Sequence, residues 1–326
     1  RVDGDTLTIG YDAMERVDQL TSPRGTTTYG YDVAGHVSGI TTPEGNALAF
    51  TYDGFLPTSE ILSGEVAGTV SQTYDRFQPA TLAVNGAAIS FGYDADRLLT
   101  SAGALTLSRD AASGLVTGAT VGGLVDTFTY DTFAELEARS LVANGTDTVY
   151  AATTTHNDNG QVTSRSETIG GVATDTDYFY DTVGRLERVD VDSVTVATYT
   201  YDDNGNVLSD GTTAATYDAQ DRLLTHGTAS YTQGPDGERL TRTTGAGTTT
   251  YTYDVFGNLT QVAPPVGSTI DYVVDGMNRR IGKKRDGTLE QGFLYQDDLN
   301  VVAELDGTGT VVSLSLIHIS EPTRLQ

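Results

Sequence analysis

Residues 28–55, TYGYDVAGHVSGITTPEGNALAFTYDGF, state nearly one phrase twice: an aromatic, one residue, Tyr-Asp, a glycine-bearing turn, an apolar run and a Pro-x-Gly turn. The alternation Thr28, Tyr29, Gly30, Tyr31 puts the two aromatics on one face of a strand, because side chains in a strand repeat every second residue. Thr, Val and Tyr fill these runs and suit a pleated, half-buried surface. The aspartate after the tyrosine can bond its own backbone two residues on, and the glycine three residues later accepts a positive φ. Tyr-Asp-x-x-Gly therefore reads as a strand end entering a hairpin turn. The return strand is short and ends at a second turn such as TTPEG at 41–45.

The phrase recurs along the chain. Ten of the 18 tyrosines precede an aspartate, starting at Tyr11, Tyr31, Tyr52, Tyr74, Tyr93, Tyr130, Tyr180, Tyr201, Tyr217 and Tyr253. Degenerate copies such as HNDNGQV at 156–162 and VVDGMNRR at 273–280 fill the gaps. A period near 20 residues leaves room for two strands and two turns, so one repeat is one hairpin. Hairpins in tandem with no helical pattern between them predict an all-β chain, one long antiparallel sheet that is coiled or spiral and open. The residues expected to carry the repeat are Tyr31, Asp32 and Gly35, Tyr180, Asp181 and Gly184, Tyr201, Asp202 and Gly205, and Tyr253, Asp254 and Gly257.

Composition narrows the function. With 19 basic against 44 acidic residues the net charge is -25, which repels nucleic acid and anionic lipid. No nucleic-acid partner is expected. There is no cysteine, hence no disulfide framework or thiolate metal site, and the opening residues have neither a signal-peptide pattern nor an 18-residue apolar run. No membrane span is expected, and the chain reads as the interior of a longer protein.

Chemistry-bearing patterns were weighed against turn architecture. NDNGQ at 157–161 and DDNGN at 202–206 have the alternating oxygens of a calcium loop but lack its distal bidentate glutamate, and Asn-Gly is an ordinary hairpin turn. Paired-carboxylate glycoside hydrolysis is disfavoured because the aspartates recur at one place in every unit. His36 and His156 occupy repeat turn positions, and with His226 and His318 they show no metal triad. Nucleophile-elbow, P-loop and zincin motifs are absent from the sequence. No catalytic residue, cofactor or metal ligand is expected. The tyrosines raise one binding alternative, a ladder of rings stacking on cell-surface carbohydrate, and the face on which they lie discriminates it from a buried structural role.

The recurring Tyr-Asp-x-x-Gly-x-Leu/Val phrase resembles the Rhs or YD-repeat family, large bacterial surface and secreted proteins related to animal teneurins. The resemblance covers residues 1–313. Residues 1–291 read as tandem repeats, and 292–313 resemble the end of the array at the start of the family's core region. The resemblance implies a β-shell around a C-terminal toxin domain, a secreted or cell-surface location, and no enzymatic activity in the repeats. Neither the family's self-cleavage motif nor a toxin appears here, so the toxin partner is absent from this sequence. Residues 314–326 break the pattern and read as a non-native tail, since LSLIHISEPTR at 314–324 resembles a translated sequencing adapter rather than a cap strand.

The size of the array sets a further expectation. Roughly 14 hairpins give about 28 strands and a strip of roughly 2,600 Å². A cargo of about 100 residues needs a shell of roughly 6,000 Å², so this stretch is expected to supply under half of one.

Overall fold

The computed structural model describes residues 6–315. Among them there is no helix, and 32 strands follow one another. Within each sheet a strand pairs antiparallel with its successor, as Thr8–Tyr11 does with Val17–Ser22 and Val17–Ser22 with Gly25–Tyr31. The result is a 19-stranded sheet ending at Val194–Thr198, a two-stranded piece of Thr200–Tyr201 with Val207–Ser209, and an 11-stranded sheet from Ala215–Tyr217 to Val311–Leu314. Neither sheet closes into a barrel. The expected all-β antiparallel architecture is thus what the chain adopts. Of the tail reading at 314–324, residues 316 onward lie outside the described residues.

Alternation gives the sheets two different faces. Where a threonine precedes the tyrosine of a Tyr-Asp pair it points to the solvent face, where hydroxyls pair across strands, as in Thr73 with Thr81 at 2.7 Å and Thr216 with Thr225 at 2.6 Å. Such Thr-Thr pairs are a recognised unit of cross-strand stabilisation. The tyrosines point to the opposite face and are half-buried, apart from Tyr11 on the first described strand, which is exposed.

Two compact units divide the described chain, residues 6–90 with 228–315, and residues 91–227. In the first unit, early strands meet late ones. Val66, in the turn after Leu56–Ser63, is buried against two glycines of later strands: a Cβ at Gly282 or at Gly292 would lie 3.0 Å from its methyl groups. In the same unit Leu62, Leu82, Ile281, Leu294 and Leu305 are all but inaccessible. Each fully buried aliphatic side chain of this kind contributes roughly 1.5–3 kcal/mol. The second unit has a sparser interior, whose buried apolar residues are Ala102, Leu107, Val116, Ala152 and Ala215.

Candidate functional site

The repeated tyrosine has one defined task. Where a strand approaches its Tyr-Asp end, main-chain pairing with the preceding strand stops, and the tyrosine hydroxyl bridges the opening. Tyr31 donates to the carbonyl of Val17 at 2.6 Å, Tyr52 to Val37 at 2.8 Å, Tyr130 to Val116 at 2.8 Å and Tyr180 to Val162 at 2.7 Å. Tyr201 and Tyr295 do the same to Leu186 at 2.6 Å and Arg280 at 2.8 Å. The last paired residues are Gln19 with Thr28, Gly39 with Ala49, Gly118 with Thr127 and Ser164 with Asp177, always three residues before the tyrosine. The phenol therefore replaces the next rung of a ladder that twist has opened, satisfying a carbonyl that would otherwise lack a partner. Burial holds the phenols of Tyr52, Tyr130, Tyr180, Tyr201 and Tyr295 above their usual range.

The aspartate builds the turn. Asp32 Oδ1 accepts the amides of Ala34 and His36, both at 2.9 Å, and Asp181 Oδ1 those of Val183 and Arg185 at 3.0 and 2.8 Å. Asp202 and Asp254 repeat the arrangement, the first with Asn204 and Asn206, the second with Phe256 and Asn258. The third residue after each aspartate is left-handed: Gly35 at φ 92°, Gly184 at 88°, Gly205 at 90° and Gly257 at 85°. Where the repeat lacks glycine, Glu15, Arg97, Ala134, Asp221 and Asn278 adopt the same sign of φ. This is a type I turn closed by a left-handed residue and a bulge, the common three-residue hairpin. Amide donors, that of Arg185 foremost, hold the Asp181 carboxyl below the usual range. For Asp202 the Asn206 side chain is the leading cause.

A fifth position, which sequence reading passed over, links successive repeats. Four residues after the aspartate stands a donor that closes on Oδ2: Arg16 on Asp12, Arg185 on Asp181, Arg222 on Asp218 and Asn206 on Asn206's own turn aspartate, Asp202. The same arginine lies over the tyrosine of the following repeat, Arg16 over Tyr31 at 4.2 Å, Arg185 over Tyr201 at 4.6 Å and Arg279 over Tyr295 at 4.8 Å. Each cation–π contact of this kind contributes on the order of 0.5–2 kcal/mol. The recurrence of Arg, Asn or His at this offset in the sequence was the signal available.

Within the first unit the same turns make the contact between early and late strands. Arg279 is buried, holds Asp275 Oδ2 at 2.8 Å through Nε, and reaches Glu60 with both terminal nitrogens. Burial pushes the Glu60 carboxyl up despite that bond. Arg24 spans in the other direction, binding Glu44 and the fully enclosed Asp254 carboxylate at 2.8 Å. Lys284 pairs with Glu65, and Gly276 comes so near Ile40 that no side chain would fit there. Early-strand turns at residues 24 and 65 thus rest on late-strand residues. These pairings join residues more than 200 positions apart, and nothing in a local repeat marks them.

The two stretches weighed as calcium loops are hairpin turns: the amide of Asn157 donates to the Gln161 carbonyl at 2.9 Å, and that of Asp202 to the Asn206 carbonyl at 3.0 Å. The scattered histidines are treated differently by the fold, which brings His156 beside Asp131 and Glu135. Among the described residues no helix is long and apolar enough to cross a membrane.

A family model described as the teneurin YD-shell matches residues 2–306. No curated protein matches the chain in sequence. Among solved structures, a TcdB2-TccC3-TEV crystal structure superposes with a TM-score of 0.56 at 14% identity, over 93% of this chain and 19% of that one. A Photorhabdus luminescens Tc holotoxin pore gives a TM-score of 0.44 at 14% identity over 93% of this chain and 17% of that chain. The first likeness shows a shared fold. The chain spans about a fifth of the length of that solved chain.

Proposed function

The chain belongs to the teneurin YD-shell family, and from that premise we propose that it is a non-enzymatic wall segment of a larger secreted bacterial shell protein that encloses a C-terminal toxin-type polypeptide. The observation that carries the reading is the packing of Val66 against Gly282 and Gly292. Within the first unit, hairpin turns of early repeats are buried on strands of late repeats, which is what one layer of a wall covering another requires. The titratable groups that recur in the repeat are committed to that wall: tyrosine hydroxyls to carbonyls, aspartates to turn amides. Repeat groups committed in this way suit a container.

The experiment is limited proteolysis of the full parent polypeptide. On this reading its C-terminal segment resists protease while the repeats are folded and is digested once they are unfolded. Digestion of that segment at the rate of the isolated segment would count against enclosure.

One observation favours the carbohydrate alternative for part of the sheet. In the second unit a depression of about 650 Å³ is lined by Tyr150, Tyr178, Tyr180, Arg139 and Arg165. Its rings are not free, since Tyr180 latches Val162 and Tyr150 accepts from Arg165 at 2.8 Å. Saturable glycan binding lost in Tyr178→Ala would establish this second reading.

A further inference from the structure

One repeat replaces the whole linkage with a different chemistry. In several other repeats the residue four after the turn aspartate is a donor, and the next repeat presents a tyrosine to it, as in Asp12, Arg16 and Tyr31 or Asp181, Arg185 and Tyr201. In the turn at 131–135 that residue is Glu135, an acceptor, and the next repeat presents His156. His156 stands opposite Val162 across a bulge, as Tyr130 stands opposite Leu136 and Tyr180 opposite Leu186, so the imidazole occupies the tyrosine position.

We propose that Asp131, Glu135 and His156 form a binding site for a divalent first-row transition cation, Zn²⁺ being the probe of choice, which ties the turn at 131–135 to the turn at 157–161. One oxygen from each carboxylate and a ring nitrogen of His156 lie within 4.8 Å of one another. His156 Nδ1 is 3.5 Å from a Glu135 oxygen. Bonds of 2.0–2.1 Å in a tetrahedral site place ligand atoms about 3.3 Å apart, a distance that side-chain rotation can close. Asp131 is already oriented, because its Oδ1 accepts the amides of Phe133 at 2.8 Å and Glu135 at 3.0 Å. Gly160 leaves space for the Glu135 carboxylate, since a Cβ there would lie 2.6 Å from Oε1.

Charge argues in the same direction. Two carboxylates face each other where other repeats put a carboxylate against a guanidinium or an amide, and among the described residues His156 is the one basic side chain in ion-pair range of Glu135. A cation supplies the attraction that the missing arginine does not. One imidazole with two carboxylates suits Zn²⁺ or its neighbours better than Ca²⁺ or Mg²⁺, which prefer oxygen alone. The site is part-exposed, so water completes the coordination. This inference stands apart from the shell reading.

The test is equilibrium dialysis and thermal melting of the whole chain with Zn²⁺ after chelator treatment. Wild type is expected to hold one Zn²⁺ per chain with a melting midpoint raised by about 3 °C or more at saturation. Glu135→Arg with His156→Tyr installs the residues other repeats use, so the double variant should fold, with an unchanged circular dichroism spectrum, and lose both effects. Glu135→Gln, of nearly the same size, is the second variant and should weaken binding at least tenfold. Absence of saturable binding to wild type, or binding that persists in the double variant because the ion sits on other histidines, overturns the proposal.

Discussion

Tyr180 Oη stands 2.7 Å from the carbonyl oxygen of Val162, 18 residues earlier and across a strand edge where main-chain pairing has already ended at Ser164 and Asp177. The same hydroxyl-to-carbonyl bond recurs at Tyr31, Tyr52, Tyr130 and Tyr295, whose acceptors lie 14 or 15 residues earlier. The Tyr-Asp dipeptide is thus two devices side by side, a latch backward to the preceding repeat and a turn forward into the next strand.

Removing one latch should have a modest and measurable cost. Tyr180→Phe keeps the ring and deletes the donor, and is expected to lower stability by about 1 kcal/mol. Tyr180→Ala also removes the ring from the half-buried face and is expected to cost about 3 kcal/mol. Urea denaturation of both variants checks the order, and a Tyr180→Phe variant as stable as the unsubstituted chain would mean that the hydroxyl contributes nothing.

How much of this was legible in the sequence depends on range. The strand, turn and repeat were readable because each is local: Thr28 to Gly35 contains the alternation, the Asx bond and the left-handed residue in eight positions. The latch was not readable, since the acceptor at Val162 is a main-chain carbonyl, which any residue supplies. Contacts such as Arg279 with Glu60 depend on how many repeats intervene before early strands meet late ones. The cluster at His156 was hidden because a histidine in a tyrosine's place reads as a degenerate repeat until the opposite turn is seen to carry Glu135.

Left-handed turn positions make an internal comparison. Gly184→Ala, at φ 88°, should destabilise by about 1 kcal/mol, whereas Ala134→Gly, at φ 65°, should stabilise by about 0.5–1 kcal/mol. Melting curves of the two variants moving in the same direction would contradict the turn assignment.

The buried contact at Arg279 should respond unequally to its two ends. Arg279→Met removes the guanidinium that faces Asp275 Oδ2 and Glu60 and is expected to cost about 3–5 kcal/mol. Glu60→Gln should cost about 1 kcal/mol or less, because burial already opposes the ionised carboxylate. Chemical denaturation at neutral pH separates the two.

Stability should fall at both ends of the pH scale. Asp12, Asp181, Asp202 and Asp218 have folded pKa values below the unfolded value, so the unfolded chain binds protons more readily near pH 4. Their contribution is present above that value and is lost as pH falls through the folded pKa values. Glu60 runs the opposite way, its folded value being raised, so its penalty is relieved on acidification. The raised phenols of Tyr52, Tyr130 and Tyr180 stabilise fully below about pH 10 and lose that contribution as pH climbs through the folded values. Denaturation midpoints across the range should show both limbs, and a flat alkaline limb would contradict the latch.

Millimolar Ca²⁺ should leave the melting midpoint unchanged, since the turns at 157–161 and 202–206 spend their oxygens on amides and neighbouring side chains. A rise of several degrees would show a calcium site.

The shell account rests on early repeats being buried against late ones, and the absence of cysteine makes that contact directly measurable. Val66→Cys with Gly292→Cys places two thiols where a Cβ at residue 292 would lie 3.0 Å from Val66 Cγ1, within reach of disulfide geometry. Under mild oxidation the account predicts an intramolecular disulfide in the folded chain and none when the chain is oxidised in denaturant. Two thiols that stay free in the folded chain, or that join only between molecules, would contradict it.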